Sequence, residues 1–133
     1  MDGHTFLLDT NVLLYALIAP DRLPEQTRND LSQGQNRVLF SVASLWEIAI
    51  KSSLNRKDFS FNSTDIEELA EKTGFEMLPI LSEHCHAVAE LPWHHRDPFD
   101  RLLIAQAMSL PAYLLTTDSM LPPYSALVRQ IAH

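Results

Sequence analysis

Two short apolar runs in this chain each end on an aspartate, and that placement constrains the fold more than any other feature. His4-Thr-Phe-Leu-Leu-Asp9 and Pro111-Ala-Tyr-Leu-Leu-Thr-Thr-Asp118 both read as buried strands. The first leads straight into Asn11-Val-Leu-Leu-Tyr-Ala-Leu-Ile18, which reads as a helix. Strand-like and helical segments keep alternating along the chain, and that pattern predicts an α/β domain with a mostly parallel sheet, whose sites lie outside the carboxyl ends of the strands. Asp9 and Asp118 then share one edge of one sheet, although more than a hundred residues separate them.

The other elements follow from punctuation and spacing. Pro24 opens a polar helix to Ser32, closed by Gly34. Residues 38–41 read as a strand and residues 44–54 as a helix with Leu45, Ile48 and Ala49 on its apolar face. Ser63-Thr64-Asp65 caps a helix to about Thr73 that ends at Gly74. Residues 77–80 form a short strand, residues 82–91 and about 97–110 are helices, and residues 124–131 supply a last strand. The 133 residues suit a single domain spanning the chain, able to bury roughly two-thirds of the surface its unfolded form exposes.

Four acids stand in apolar settings: Asp9, Glu47 after Ser-Leu-Trp, Asp100 before Arg-Leu-Leu-Ile, and Asp118. Brought within about 4 to 5 Å, like charges repel by roughly 3 to 4 kcal/mol per pair at an effective dielectric near 20. Protonation or a hard divalent cation relieves this, and an all-oxygen cluster selects Mg²⁺ or Mn²⁺ over zinc.

Leu7-Leu8-Asp9-Thr10-Asn11, Ser41-Val-Ala-Ser-Leu-Trp-Glu47-Ile-Ala-Ile-Lys51, His95-Arg-Asp-Pro-Phe-Asp-Arg-Leu-Leu-Ile-Ala-Gln-Ala107 and Leu115-Thr-Thr-Asp118 resemble, in order and spacing, the successive motifs of PIN-domain ribonucleases, above all the VapC-type toxins of prokaryotic toxin-antitoxin pairs. The resemblance covers nearly the whole chain. It implies a three-layer α/β/α domain and a Mg²⁺- or Mn²⁺-dependent endoribonuclease with Asp9, Glu47, Asp100 and Asp118 as its acidic quartet. Asp9 and Asp100 would be the principal metal ligands. Glu47 and Asp118 would complete the site directly or through water, one of them orienting or deprotonating the attacking water. It further implies an RNA substrate, a VapB-like antitoxin that inserts a segment into the toxin's groove, and a homodimer.

Plainer readings stand beside these. Asp97 is the expected N-cap of a helix with proline at its first position, with a metal role as the alternative. Asn11 either caps the first helix or holds Asp9 by a hydrogen bond, and Thr117 is a further candidate support for the site. Glu47 and Lys51 have the spacing of an ordinary helical ion pair, while Lys51 is also a candidate RNA contact. Arg101 is read as either a phosphate contact or a solvated arginine at a helix start. Trp46, Phe99 and Tyr113 are expected in the core rather than as base-stacking platforms. His84-Cys85-His86 and His94-His95 lack a standard zinc spacing. Asn11 in place of a second aspartate argues against a phosphotransferase using Asp9 as nucleophile. A catalytically inactive PIN fold that binds RNA or protein is the alternative function. Residues 55–62 are the expected variable contact loop.

The net charge of -7 argues at first against a nucleic-acid partner. Most of it, however, lies in one helical region, where Asp65, Glu67, Glu68, Glu71, Glu76, Glu83 and Glu90 stand against Lys72 alone. Beyond that region and the quartet the chain is mildly basic, compatible with RNA when metal is bound. The single Cys85, the lack of a membrane-length apolar run and an N-terminus unlike a signal peptide lead to a cytoplasmic expectation.

Overall fold

A computed structural model describes residues 3–54 and 61–131. Five strands form one sheet: β1 (Thr5–Leu8), β2 (Arg37–Ser41), β3 (Glu76–Leu78), β4 (Tyr113–Thr116) and β5 (Val128–Gln130). Their order is β3-β2-β1-β4-β5, and every pairing is parallel. Among the described residues six α-helices surround it: α1 (Thr10–Ile18), α2 (Glu25–Ser32), α3 (Val42–Ser53), α4 (Ser63–Thr73), α5 (Ser82–Val88) and α6 (Pro98–Ser109).

The central strands are apolar on consecutive residues because both faces of the sheet are covered. Phe6, Leu8, Val38 and Phe40 pack with Val12 and Leu13 of α1, Leu45 and Ile48 of α3, and Ile66 and Ala70 of α4. Leu7, Leu39 and Leu114 point the other way, against Leu103, Ile104 and Ala107 of α6. The result is a three-layer α/β/α arrangement. Strand order reverses between β1 and β4, and the crevice at their carboxyl ends is where side chains from both converge.

Several boundaries differ from expectation for identifiable reasons. Helix α3 begins at Val42, directly after β2, because the Ser41 hydroxyl accepts from the Ala43 N–H and caps it. Helix α5 ends at Val88 instead of about Leu91, since the carbonyls of Val88, Leu91 and Pro92 turn to the Arg101 guanidinium. The last strand is short because residues 124–127 are taken up in turns: Tyr124 closes a 3-10 turn begun at Pro122, and the Val128 N–H donates back to the Ser125 carbonyl. Gly74, with φ of 98°, ends α4 as expected. Of the expected contact loop, residues 55–60 lie outside the described residues. Phe61 packs against the core and the Asn62 side chain caps α4.

Among the described residues no helix is long and apolar enough to cross a membrane.

Candidate active site

Asp9 is the residue after β1 and the N-cap of α1. One oxygen accepts from the Val12 N–H at 2.8 Å, and the other from the Thr116 hydroxyl at the end of β4 at 2.6 Å. Its own N–H donates to the Leu115 carbonyl, tying the end of β1 to β4. The neighbouring-strand geometry thus places a carboxylate at the switch point and holds it there through backbone and hydroxyl donors. The same Thr116 hydroxyl accepts from the Asp118 N–H at 3.0 Å, while Asp118 Oδ1 accepts from the Met120 N–H.

The facing wall comes from α3 and α6. Glu47 lies on α3, where Oε1 accepts from the Thr10 hydroxyl at 2.6 Å and Oε2 pairs with Lys51 Nζ at 3.1 Å. Ser44 shares a hydrogen bond with Thr10 at 3.0 Å, so α1 and α3 meet through hydroxyls beside the carboxylate. Asp100 sits in the first turn of α6, whose N-cap is Asp97, accepting from the N–H groups of Phe99 and Asp100. His95 Nε2 lies 3.0 Å from Asp100 Oδ2 and 3.5 Å from Asp118 Oδ2.

All four predicted acids, together with Thr10, Asn11, Lys51, His95 and Asp97, line one open cleft of about 290 Å³. Burial strips Asp9 of water; with 5% of its surface exposed, its pKa is pushed above the usual aspartate value despite the donors from Thr116, Val12 and the Thr117 backbone, and the Glu47 charge adds to the rise. Burial and the adjacent Asp97 charge raise Asp100 to about 7, although its hydrogen bond to His95 opposes them. Oxygen donors that resist ionisation when bare fit a hard divalent cation, whose charge offsets the desolvation. Among the described residues, ligand atoms of His95, Asp97 and Asp100 all lie within 4.8 Å of one another.

Such an arrangement makes stability depend on pH in a definite direction. Between pH about 3.8 and about 7 the folded, metal-free protein holds a proton on Asp100 that the unfolded chain has released, so folding is favoured as pH falls and weakened as it rises. The melting temperature of chelator-treated protein should decline across that window, and Asp100→Asn should flatten the decline. An unchanged slope in the variant would contradict this assignment.

The structure also redistributes some predicted residues. Arg101, expected at an RNA phosphate or in solvent, is 3% exposed; its guanidinium donates to the carbonyls of Val88, Leu91 and Pro92 and to the Tyr124 hydroxyl, and Trp93 stacks on it at 4.0 Å. It is a structural cation because Val88, Leu91 and Pro92 turn their carbonyls to it. Trp46, expected in the core, is 57% exposed on the outer face of α3 and meets the half-buried Phe99 edge-on, with ring centroids 5.1 Å apart. Tyr113 does pack against the core. The N-cap of α1 is Asp9, while Asn11 is exposed at the cleft. The hydroxyl on Asp9 is that of Thr116; Thr117 contributes its backbone N–H. His84 is buried with Nδ1 taken by the Leu81 N–H, whereas Cys85 is exposed.

Sequence reasoning missed Thr10, Thr116 and His95. Thr10 and Thr116 adjoin predicted sites, and a polar residue closing an apolar run was the available signal. His95 stood inside a quoted motif but was weighed only as a zinc ligand.

The family model for the PIN domain matches residues 6–126. The chain belongs to the PIN domain family. Solved structures resemble it over nearly its full length. VapBC2 from Rickettsia felis, bound to a DNA fragment from their promoter, has a TM-score of 0.70 at 17% identity, covering 96% of this chain and 98% of that one. VapBC-1 from nontypeable Haemophilus influenzae has a TM-score of 0.63 at 19% identity, covering 95% and 97%. A domain of a functionally unknown protein from Methanocaldococcus jannaschii has a TM-score of 0.63 at 14% identity, covering 98% and 93%. At these identities the likeness is one of fold. No curated protein matches this PIN domain closely enough to count as a relative.

Proposed function

We propose that this PIN-domain protein is a VapC-like, Mg²⁺- or Mn²⁺-dependent endoribonuclease, acting as one domain over the whole chain. The observation that carries the reading is the convergence of Asp9, Glu47, Asp100 and Asp118 on one cleft at the switch point of the sheet. Asp9 and Asp100 would hold the metal, with Glu47 and Asp118 completing its shell directly or through water. The bound ion would supply an activated water and neutralise phosphodiester oxygens during in-line displacement.

The protein's own residues do the remaining work. Thr116 and the Val12 N–H fix the Asp9 carboxylate, and Thr10 fixes Glu47, so both oxygens stand oriented before any ligand arrives. Asp97 caps α6 and thereby aims Asp100. Either Glu47 or Asp118 takes the proton of the attacking water. Lys51, half exposed beside Glu47, contacts an RNA phosphate.

Purified protein should cleave RNA with Mg²⁺ or Mn²⁺ and lose that activity in excess EDTA. RNA bound without cleavage under every divalent ion would leave the binding-module reading instead.

The same reading brings a VapB-like antitoxin and a homodimer. Trp46 and Ile50 on α3 and Leu54 at its C-cap recur every four residues and are exposed, and exposed Leu69 lies on α4, which packs beside α3. That apolar row is the surface proposed for an antitoxin segment. Ile50→Glu should abolish co-purification with a co-expressed antitoxin while leaving RNA cleavage intact; undiminished capture would move the interface elsewhere.

A further inference from the structure

We propose that His95 is a metal ligand: its Nε2 joins the Asp100 carboxylate in one shell and biases the cleft toward an ion that accepts nitrogen, Mn²⁺, over Mg²⁺. This rests on the reading of the cleft as a divalent-cation site.

Geometry is the first support. Octahedral ions with bonds of about 2.1 Å hold neighbouring donor atoms about 3 Å apart. The Nε2 atom lies 3.0 Å from Asp100 Oδ2, which is that edge length, and ligand atoms of His95, Asp97 and Asp100 all lie within 4.8 Å of one another, with Asp118 Oδ2 3.5 Å from Nε2. A neutral imidazole also brings a lone pair into a cleft of four carboxylates without adding a fifth negative charge. Mg²⁺ favours oxygen donors, whereas imidazole suits transition ions, so one nitrogen in an oxygen-rich shell shifts the preference toward Mn²⁺.

The second support is the apparatus that holds His95. Its carbonyl accepts from the Tyr124 hydroxyl at 3.2 Å, and that hydroxyl in turn accepts from the His94 N–H at 3.0 Å and from Arg101 Nη1 at 3.2 Å. Arg101 simultaneously gathers the carbonyls of Val88, Leu91 and Pro92. Burying a guanidinium is expensive, and here it fixes the loop that carries His95 to the helix that carries Asp100. The other described histidines have different surroundings: His84 closes the start of α5, His86 is exposed on α5, His4 packs on Phe6 and Tyr113, and the His94 ring meets Tyr124.

Pulsed electron paramagnetic resonance of the Mn²⁺-loaded protein tests this directly. A ¹⁴N coupling from a coordinated imidazole should appear, convert to a ¹⁵N coupling when only histidine is ¹⁵N-labelled, vanish in His95→Gln and persist in His86→Gln. Calorimetric titration should show Mn²⁺ affinity falling about tenfold or more in His95→Gln, with a smaller loss for Mg²⁺. Mn²⁺ bound by the wild-type protein without nitrogen coupling would overturn the assignment of His95 while leaving the cation site standing. Failure of the wild-type protein to bind either ion would overturn both. The labelling arm needs no substitution, so it decides the matter even if His95→Gln folds poorly.

Discussion

Asp9→Asn is expected to reduce RNA cleavage by on the order of a thousandfold or more, while the metal-free protein melts at the same temperature as wild type or higher. The two effects have one origin. Asp9 is buried beside Glu47, where its ionised form is disfavoured, and the proposed cation makes that charge useful. Asparagine keeps the shape and the cap: its oxygen can still accept from the Val12 N–H, and its amide can donate to the Thr116 hydroxyl. The folded state therefore loses a carboxyl whose ionised form burial disfavours, and little else. A thousandfold loss corresponds to about 4 kcal/mol of transition-state stabilisation, the upper end of what one charge-stabilising group contributes. Ion binding should sharpen the contrast, because a ligand at about 100 times its Kd stabilises the folded state by about 2.7 kcal/mol. Added Mn²⁺ should raise the melting temperature of wild type and leave that of Asp9→Asn unmoved. A variant that cleaves RNA at the wild-type rate would remove Asp9 from the reaction.

Arg101→Ala is expected to be strongly destabilising, costing about 3 kcal/mol. Removing the guanidinium takes the donor from the carbonyls of Leu91 and Pro92, leaving Val88 only its bond from the Leu91 N–H, and each unsatisfied buried acceptor costs about 1 to 3 kcal/mol. Relaxation of that loop toward water keeps the total near the lower end of their sum. For a chain of 133 residues the melting temperature should fall by about 10 °C. Arg101→Lys should recover only a small part, because one ammonium cannot span acceptors that a planar fork reaches from two nitrogens. Thermal denaturation of both variants checks this, and a loss below about 1 kcal/mol for Arg101→Ala would show that Arg101 does not hold the loop. The same variant should weaken Mn²⁺ binding at temperatures where it stays folded, because Tyr124 and His95 lose their anchor.

The architecture was legible wherever a local pattern and the global fold obeyed the same cause. Consecutive apolar residues in β1 and β4 follow from burial on both faces, and the run around Asp9 is readable because the strand, the cap and the helix are contiguous. The Asp97-Pro98 start of α6 and the Gly74 end of α4 are likewise set by backbone chemistry within a few residues. Trp46 was misplaced for the opposite reason. Helical spacing identifies which residues share a face, but only neighbouring elements decide whether that face is covered, and α3 leaves Trp46 outside.

By itself, the sequence determined the alternation of strands and helices, the order of the motifs and the identity of the four acids, because each is a property of contiguous residues or of their chemical type. Tertiary structure alone decided that those acids share a cleft, that Thr10 and Thr116 orient two of them, that His95 enters beside Asp100 and Asp118, and that Arg101 turns inward. These are contacts made across the sheet or between a loop and a distant helix, and their energies depend on what solvent the fold excludes. The two aspartates that close β1 and the run through β4 show the division most plainly. Each was visible as the end of an apolar run, but parallel pairing of β1 with β4 is what brings the Thr116 hydroxyl, on which the Asp118 N–H also rests, to Asp9, joining residues more than a hundred positions apart.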